Sequence, residues 1–67
     1  MEMKTITLPV LHGATVEWVK AQREEMKARL YQEIADIPYI GYKYTYQYTY
    51  KYGFPYMTVG MKVYHVV

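Results

Sequence analysis

Residues 42–52 of this 67-residue chain read YKYTYQYTYKY, with tyrosine at every even position and a polar residue at every odd one. Side chains of a β-strand point alternately to its two faces, so the pattern predicts one long strand with six tyrosines on one face. The segment also reads the same in both directions about Gln47. It is the strongest structural signal in the chain.

The residues after this segment predict a β-hairpin. Gly53-Phe54-Pro55-Tyr56 is expected to form the turn, and Met57 to Val67 the last strand. We predict that Tyr52 lies opposite Met57, because the tyrosines then share a face with the apolar residues of the last strand, and a slip by one residue would mix apolar and polar side chains. A cis Phe-Pro bond in a type VI turn would fit this register, and so would a wider loop. The apolar residues on the tyrosine face are Met57, Val59, Met61 and Val63.

The segment Lys4 to Leu11 predicts a first strand, with Ile6, Leu8 and Val10 on one face. Proline cannot donate a hydrogen bond to a neighbouring strand, so Pro9 places this strand at a sheet edge or ends it.

A helix is predicted from Val16 to about Asp36, with Thr15 as its N-cap and Pro38 as its stop. The four alanines at seven-residue spacing are either a seam for a second helix or helix-forming residues on a solvated face. Trp18 lies off the apolar stripe, and either folds over the rim of the sheet or is an exposed anchor. The stripe itself consists of Val16, Val19, Met26, Leu30, Ile34 and Ile37, which share one face at 100° per residue.

These elements predict an α+β fold in the order β-α-β-β, forming one domain over residues 1–67. A strand order of 1-3-2 makes every pair of neighbours antiparallel and leaves Pro9 at an edge. The helix is expected to cover the face that carries the tyrosines, methionines and valines.

Composition argues against catalysis. The chain has no cysteine and no serine, and its two histidines, His12 and His65, have no partner ligands at the spacing of a zinc site. We therefore expect no enzymatic activity, no metal and no cofactor. The net charge is +2, and no apolar run is long enough to cross a bilayer. Without a signal-peptide pattern we expect a small soluble protein and no contact with a membrane, and the sequence indicates no compartment.

The surplus of aromatic residues indicates a binding role. A single helix about 10 Å across cannot cover a three-stranded sheet about 14 Å wide, so several rings must lie at the rim or beyond it. Tyrosine and other aromatic residues are preferred anchors of protein interfaces. The alternative is that the tyrosines only form the core. The residues predicted to bind a partner protein are Tyr44, Tyr46, Tyr48, Tyr50, Tyr52, Phe54, Tyr56 and Tyr64.

Two other functions compete with this prediction. The palindrome would let two copies of the strand pair about a two-fold axis into a homodimer, although Lys43 would then oppose Lys51 of the second copy. Tyrosines and lysines together are also typical of single-stranded nucleic-acid binders. We rank nucleic acid last among the partners of this protein, because Lys43 and Lys51 point away from the tyrosines of their strand and one face therefore cannot present both sets.

The motifs of this sequence do not identify a natural family that would account for the whole chain. As a class it resembles computationally designed mini-protein binders, through its compact β-α-β-β layout, its lack of cysteine, its palindromic strand and a helix rich in Glu, Lys, Arg and Ala. The resemblance implies that the chain binds a single protein surface and has no catalytic activity.

Overall fold

A computed structural model describes residues 2–66. Strand β1 spans Glu2–Pro9, helix α1 spans Val16–Ile34, β2 spans Tyr39–Lys51 and β3 spans Phe54–His65. The three strands form one antiparallel sheet in the order β1-β3-β2. The predicted α+β fold, the β-α-β-β order and the strand order are all confirmed. Val67, predicted as the last residue of the final strand, lies outside the described residues.

The hairpin turn differs from the prediction. It consists of Tyr52 and Gly53, both with positive φ angles (54° and 80°), as in the type I′ turn that matches the twist of the flanking strands. Lys51 pairs directly with Phe54, so Met57 lies opposite Tyr48 and not opposite Tyr52. The predicted turn at 53–56 was therefore wrong, and no cis peptide bond occurs between residues 2 and 66.

The predicted separation of the two sheet faces survives this correction. The register differs from the predicted one by four residues, and an even shift returns every side chain to its original face. Tyr42, Tyr44, Tyr46 and Tyr48 lie opposite Val63, Met61, Val59 and Met57 respectively. Tyr52 is the one tyrosine of the segment that leaves the row, because it lies in the turn.

Strand β1 begins and ends two residues earlier than predicted, and it pairs only with β3. Pro9 is its last residue and lies at the sheet edge, as expected. Beyond it, the amide of Val10 donates a hydrogen bond to the carbonyl oxygen of Pro55 at 3.0 Å, so the side of β3 that faces β1 stays paired up to the hairpin.

Helix α1 begins as predicted, because the hydroxyl of Thr15 accepts a hydrogen bond from the amide of Trp18 at 3.1 Å. It ends at Ile34, two residues before the predicted end, and a last turn closes with the amide of Ile37 donating to the carbonyl of Ile34 at 3.0 Å. Two residues of the predicted stripe are therefore outside the core. Val16 opens the helix and is 65% exposed, and Ile37 follows its end and is also exposed.

The core lies between α1 and the central strand β3. Trp18 is half-buried and packs against this core, so it folds over the sheet instead of standing free. Ala21 and Ala28 are exposed on the solvated face of α1, and Ala35, the C-cap residue, is exposed as well. The helix backbone lies over β3 and β1. The fully buried residues are Met26, Leu30, Ile34, Met57, Val59, Met61 and Val63.

Candidate protein-binding surface

Strand β2 is an edge strand, and its pairing shows which backbone groups are free. Lys51 and Phe54 flank a two-residue turn, so they form a hydrogen-bonded pair, and such pairs alternate along an antiparallel ladder. The odd residues of β2 from 43 to 51 therefore bond to β3. The even residues, which are the tyrosines, point their N–H and C=O groups away from the sheet.

Pro55 supports this assignment. It lies opposite Tyr50, at a position where β3 needs no N–H directed toward β2. Its carbonyl oxygen points the other way and accepts the hydrogen bond from Val10. The unpaired backbone groups of Tyr42, Tyr44, Tyr46, Tyr48 and Tyr50 are called the β2 edge below.

The tyrosine side chains at the start of β2 form a packed cluster with α1. Tyr42 makes edge-to-face contacts with Tyr31, Tyr39 and Tyr44, with ring centroids 5.5–5.7 Å apart. Tyr39 has odd parity but joins this face because a bulge inserts one residue between it and Gly41.

Hydrogen bonds tie the same cluster to the helix. The hydroxyl of Tyr44 donates to the carbonyl oxygen of Lys27 at 3.0 Å, and the hydroxyls of Tyr31 and Tyr39 lie 3.4 Å apart. Burial, followed by the proximity of Tyr42, raises the pKa of the Tyr44 phenol. The hydrogen bond with Tyr31, followed by burial, raises the pKa of Tyr39. The raised pKa values keep both phenols protonated at neutral pH, and the Tyr44 hydroxyl is the donor in its hydrogen bond to Lys27.

The tyrosines nearer the hairpin turn lie progressively outside the cover of the helix. Tyr46 is 46% exposed, Tyr48 is 56% exposed and Tyr50 is 79% exposed. These three residues are called the exposed tyrosine row. They occupy the helix side of the sheet and belong to the β2 edge, so exposed rings and free backbone groups are on the same residues.

Basic side chains from α1 border this row. The guanidinium carbon of Arg23 lies 5.0 Å from the ring centroid of Tyr46, and Lys27 Nζ lies 5.1 Å from that of Tyr44. The hydrogen bond to Glu24 raises the pKa of Lys27, which keeps that ammonium group charged. Tyr48 and Arg23 also line a shallow cleft of about 320 Å³, together with Val16, Val19, Lys20 and neighbouring residues.

The structure divides the eight predicted binding residues among three places. Tyr44, Tyr46, Tyr48 and Tyr50 lie together on the helix side, and Tyr44 is held there by its hydrogen bond to α1. Tyr52 lies in the turn, exposed to solvent. Phe54, Tyr56 and Tyr64 lie on the opposite face of the sheet, because even residues of β3 pair with odd residues of β2.

Sequence reasoning missed the helix residues that border the exposed tyrosine row. Arg23 was visible as the one interruption of the apolar helix stripe. A charged residue at a core-facing position indicates that the helix face meets solvent or an aromatic ring there. Val16 was predicted to lie in the core because it fits the apolar stripe. It opens the helix, however, and lines the cleft instead.

A separate polar network lies at the far end of the sheet. Glu2 bridges Lys4 Nζ at 3.1 Å and His65 Nε2 at 2.8 Å. The hydrogen bond from Lys4, followed by the one from His65, lowers the pKa of the Glu2 carboxyl. Within residues 2–66, no three His, Asp or Glu side chains converge as metal ligands would. In the same range the structure contains no helix with the length and apolar character required to span a bilayer.

Comparison with known protein families, curated proteins and solved structures gives no match to this chain.

Proposed function

We propose that this protein binds an extended segment of another protein, which pairs with the β2 edge and packs its side chains on the exposed tyrosine row. The observation that supports the proposal is the coincidence of two features on Tyr46, Tyr48 and Tyr50. Each of these residues has an exposed ring, and each directs its backbone N–H and C=O groups away from the sheet.

Strand addition to a sheet edge obtains affinity from main-chain hydrogen bonds and specificity from alternate side chains. A strand added beside β2 would place every second side chain on the helix side. There it would meet the rings of Tyr46 and Tyr48 and the apolar part of the cleft below Val16. The proposed partner therefore has apolar residues at every second position.

The exposed row is poorly explained as core. Its rings leave roughly half or more of their surface in water, whereas the buried core is formed by aliphatic and methionine side chains. Aromatic rings held rigidly at a surface lose little rotamer freedom on binding, which makes them effective anchors. The resemblance to designed binders agrees with this role.

Amide hydrogen exchange tests the free edge directly. In the monomer we expect slow exchange at Thr45, Gln47 and Thr49, whose amides bond to β3, and fast exchange at Tyr46 and Tyr48. Ten-residue peptides selected for binding from a displayed library should protect the two tyrosine amides. Binders that leave these amides in fast exchange would contradict the proposal.

Side-chain substitutions test the aromatic part of the proposal. Tyr48→Ala and Tyr50→Ala should each weaken binding of a selected peptide by about 1–2 kcal/mol, as expected for interface anchors. Tyr52→Ala is the matched control, because Tyr52 is also an exposed tyrosine but lies in the turn. Equal affinity for all three variants would show that the row takes no part in binding.

A homodimer through the β2 edge is the second candidate, and the palindrome favours it. Pairing two copies antiparallel about Gln47 places Tyr46 opposite Tyr48 of the second copy, and both residues have outward backbone groups. The same register places Lys43 opposite Lys51 of the second copy, which is repulsive. The two-fold axis produces this lysine contact twice, and Lys43→Glu makes both copies of it attractive. Light scattering should then report a larger dimer fraction for the variant, and an unchanged monomer would exclude this register.

A further inference from the structure

The face of the sheet that points away from α1, called the outer face here, has a charge pattern that the proposed protein binding does not use. Its charged residues within 2–66 are Lys43, Lys51 and Lys62, and its other side chains are neutral. All six acidic residues of the chain lie elsewhere, with Glu2 on the helix side of β1 and the rest in α1 or just after it. The outer face therefore carries a charge of about +3 on a chain whose net charge is +2.

Two of these lysines face each other directly. Lys43 and Lys62 are cross-strand partners in the β2–β3 ladder, and like charges in directly opposed positions destabilise a sheet. No carboxylate of the described outer face lies between them to relieve the repulsion. An anionic ligand on this face would do so.

Aromatic rings stand beside the lysines on the same face. Phe54 is 66% exposed and pairs directly with Lys51, and Tyr64 is 42% exposed. Tyr64 lies two residues from Lys62, about 7 Å along the strand. Tyr56 lies between the ends, opposite Thr49. Each end of the face thus combines an exposed ring with an adjacent ammonium group.

We infer that the outer face binds single-stranded nucleic acid without strong sequence preference, with lysines on phosphates and with Phe54 and Tyr64 stacked on bases. This surface differs from the tyrosine row of β2, because the lysines of that strand, Lys43 and Lys51, lie on the face opposite its tyrosines. Single-stranded binders combine a basic surface that follows the backbone with rings on which successive bases stack. A duplex offers no unstacked bases to such rings, which selects the single strand.

The distances match a short oligonucleotide. Lys43 and Lys51 are eight residues apart along β2, or roughly 26 Å, and the three strands together are about 14 Å wide. A single extended strand fits this area along β2 and β3. Threonine and glutamine side chains between the lysines supply additional donors to phosphate and sugar oxygens.

Fluorescence anisotropy with a labelled ten-nucleotide oligo-dT, titrated over a range of salt concentrations, tests the inference. Three lysine–phosphate contacts predict a slope of log K against log[salt] near −2, at about 0.7 per contact for single strands. Lys43→Gln/Lys62→Gln should reduce the slope to about −0.7. Phe54→Ala and Tyr64→Ala should leave the slope unchanged and weaken binding about five- to 140-fold each.

Three controls decide the outcome. Tyr50→Ala, on the helix side, should bind oligo-dT like the unaltered chain, and circular dichroism checks that each variant is folded. A polyglutamate peptide of ten residues should compete poorly, since it has charge but no bases. Absence of oligo-dT binding at low salt, equal competition by polyglutamate, or an equal loss in Tyr50→Ala would each overturn the inference.

Discussion

Substitution of Gly60 by alanine should destabilise the sheet, although alanine is ordinarily the better residue in a strand. Gly60 is buried at the centre of β3, on the outer face, between Thr5 of β1 and Thr45 of β2. A Cβ atom added there would lie 2.6 Å from the hydroxyl oxygen of Thr45 and 3.2 Å from the terminal methyl of Met3. The first distance is far inside van der Waals contact.

The expected magnitude follows from two opposing effects. The Met3 methyl ends a flexible and half-exposed side chain and can move away. Thr45 is β-branched and fixed in the strand, so it must change rotamer or the strands must separate, at a cost of about 1–3 kcal/mol. Replacing glycine removes about 0.4–1 kcal/mol of unfolded-state entropy. Gly60→Ala should therefore lower the free energy of unfolding by about 1–2 kcal/mol.

Urea denaturation monitored by Trp18 fluorescence measures this change, because Trp18 is the single tryptophan and packs against the core. Gly41→Ala is the matched control, since a Cβ there would meet no atom within 4 Å; its stability should be unchanged or slightly higher. In Gly60→Ala/Thr45→Ala the clash is removed, so the double variant should be more stable than the two single effects predict by about 1–2 kcal/mol.

Two results would refute this reasoning. If Gly60→Ala is as stable as Gly41→Ala, the strands tolerate the extra carbon and the contact with Thr45 is not tight. If the double variant shows only the sum of the single effects, the destabilisation has another origin.

Three smaller perturbations test other contacts. Tyr52→Asn should raise the free energy of unfolding by about 1 kcal/mol in urea melts, because asparagine tolerates positive φ better than tyrosine does; unchanged stability would contradict a type I′ turn. Tyr44→Phe should cost about 1 kcal/mol through the lost hydrogen bond to Lys27. The raised pKa of Tyr44 means that its stabilisation is complete below about pH 10 and is lost as pH rises through the folded pKa, so the variant should lose less stability on alkaline titration than the parent. The pKa of Glu2 is lowered, so its contribution to folding stability is present above its ordinary pKa of 4.5 and is lost as pH falls through the folded value. Glu2→Gln should therefore show a smaller drop in Tm on acidification than the parent. An identical pH profile would exclude the contacts of Glu2 as a source of stability.

The sequence predicted the faces of the sheet because a period-2 pattern depends only on backbone geometry. Alternation in residues 42–52 and 57–63 separates apolar from polar side chains in any register of the same parity. The order of the strands was also predictable, because one helix and one hairpin leave few ways to pair three strands, and only the order 1-3-2 makes every pair of neighbours antiparallel. The N-cap at Thr15 was equally local, because a side-chain oxygen there meets an amide three residues later.

The hairpin register required information that parity does not contain. Registers that differ by two or four residues give identical faces, and only the turn distinguishes them. Tyr52-Gly53 lacks the usual asparagine of a type I′ turn, so Phe54-Pro55 looked like the stronger turn signal. The sequence pattern likewise did not indicate the bulge at Tyr39/Gly41, because it moves only one tyrosine, at the start of β2, onto the helix face.

The predicted binding residues were grouped by residue type, and the structure separates them by face. The pattern of β2 was sufficient to gather Tyr44, Tyr46, Tyr48 and Tyr50. Placing Phe54 and Tyr56 on the outer face needed the correct turn, which puts both residues in β3. The contact of Arg23 with the Tyr46 ring depends on where the helix crosses the sheet, which local sequence patterns do not determine.

The position of the helix follows from the kinds of side chain that each strand offers it. Ile6 and Leu8 of β1 and the valines and methionines of β3 have no polar atom and gain most from burial, at about 25 cal/mol per Å². Tyrosine retains a hydroxyl that must find a partner when buried, and Tyr44 needs the carbonyl of Lys27 for this purpose. One helix therefore covers β1 and β3 and leaves the tyrosine strand at the rim, where phenol groups can stay in water. The same preference that stabilises the fold leaves an aromatic edge strand open, and Lys43 and Lys51, which flank residues 44–50, oppose pairing with a second copy. The partner that we propose for the β2 edge is therefore one that does not repeat those charges.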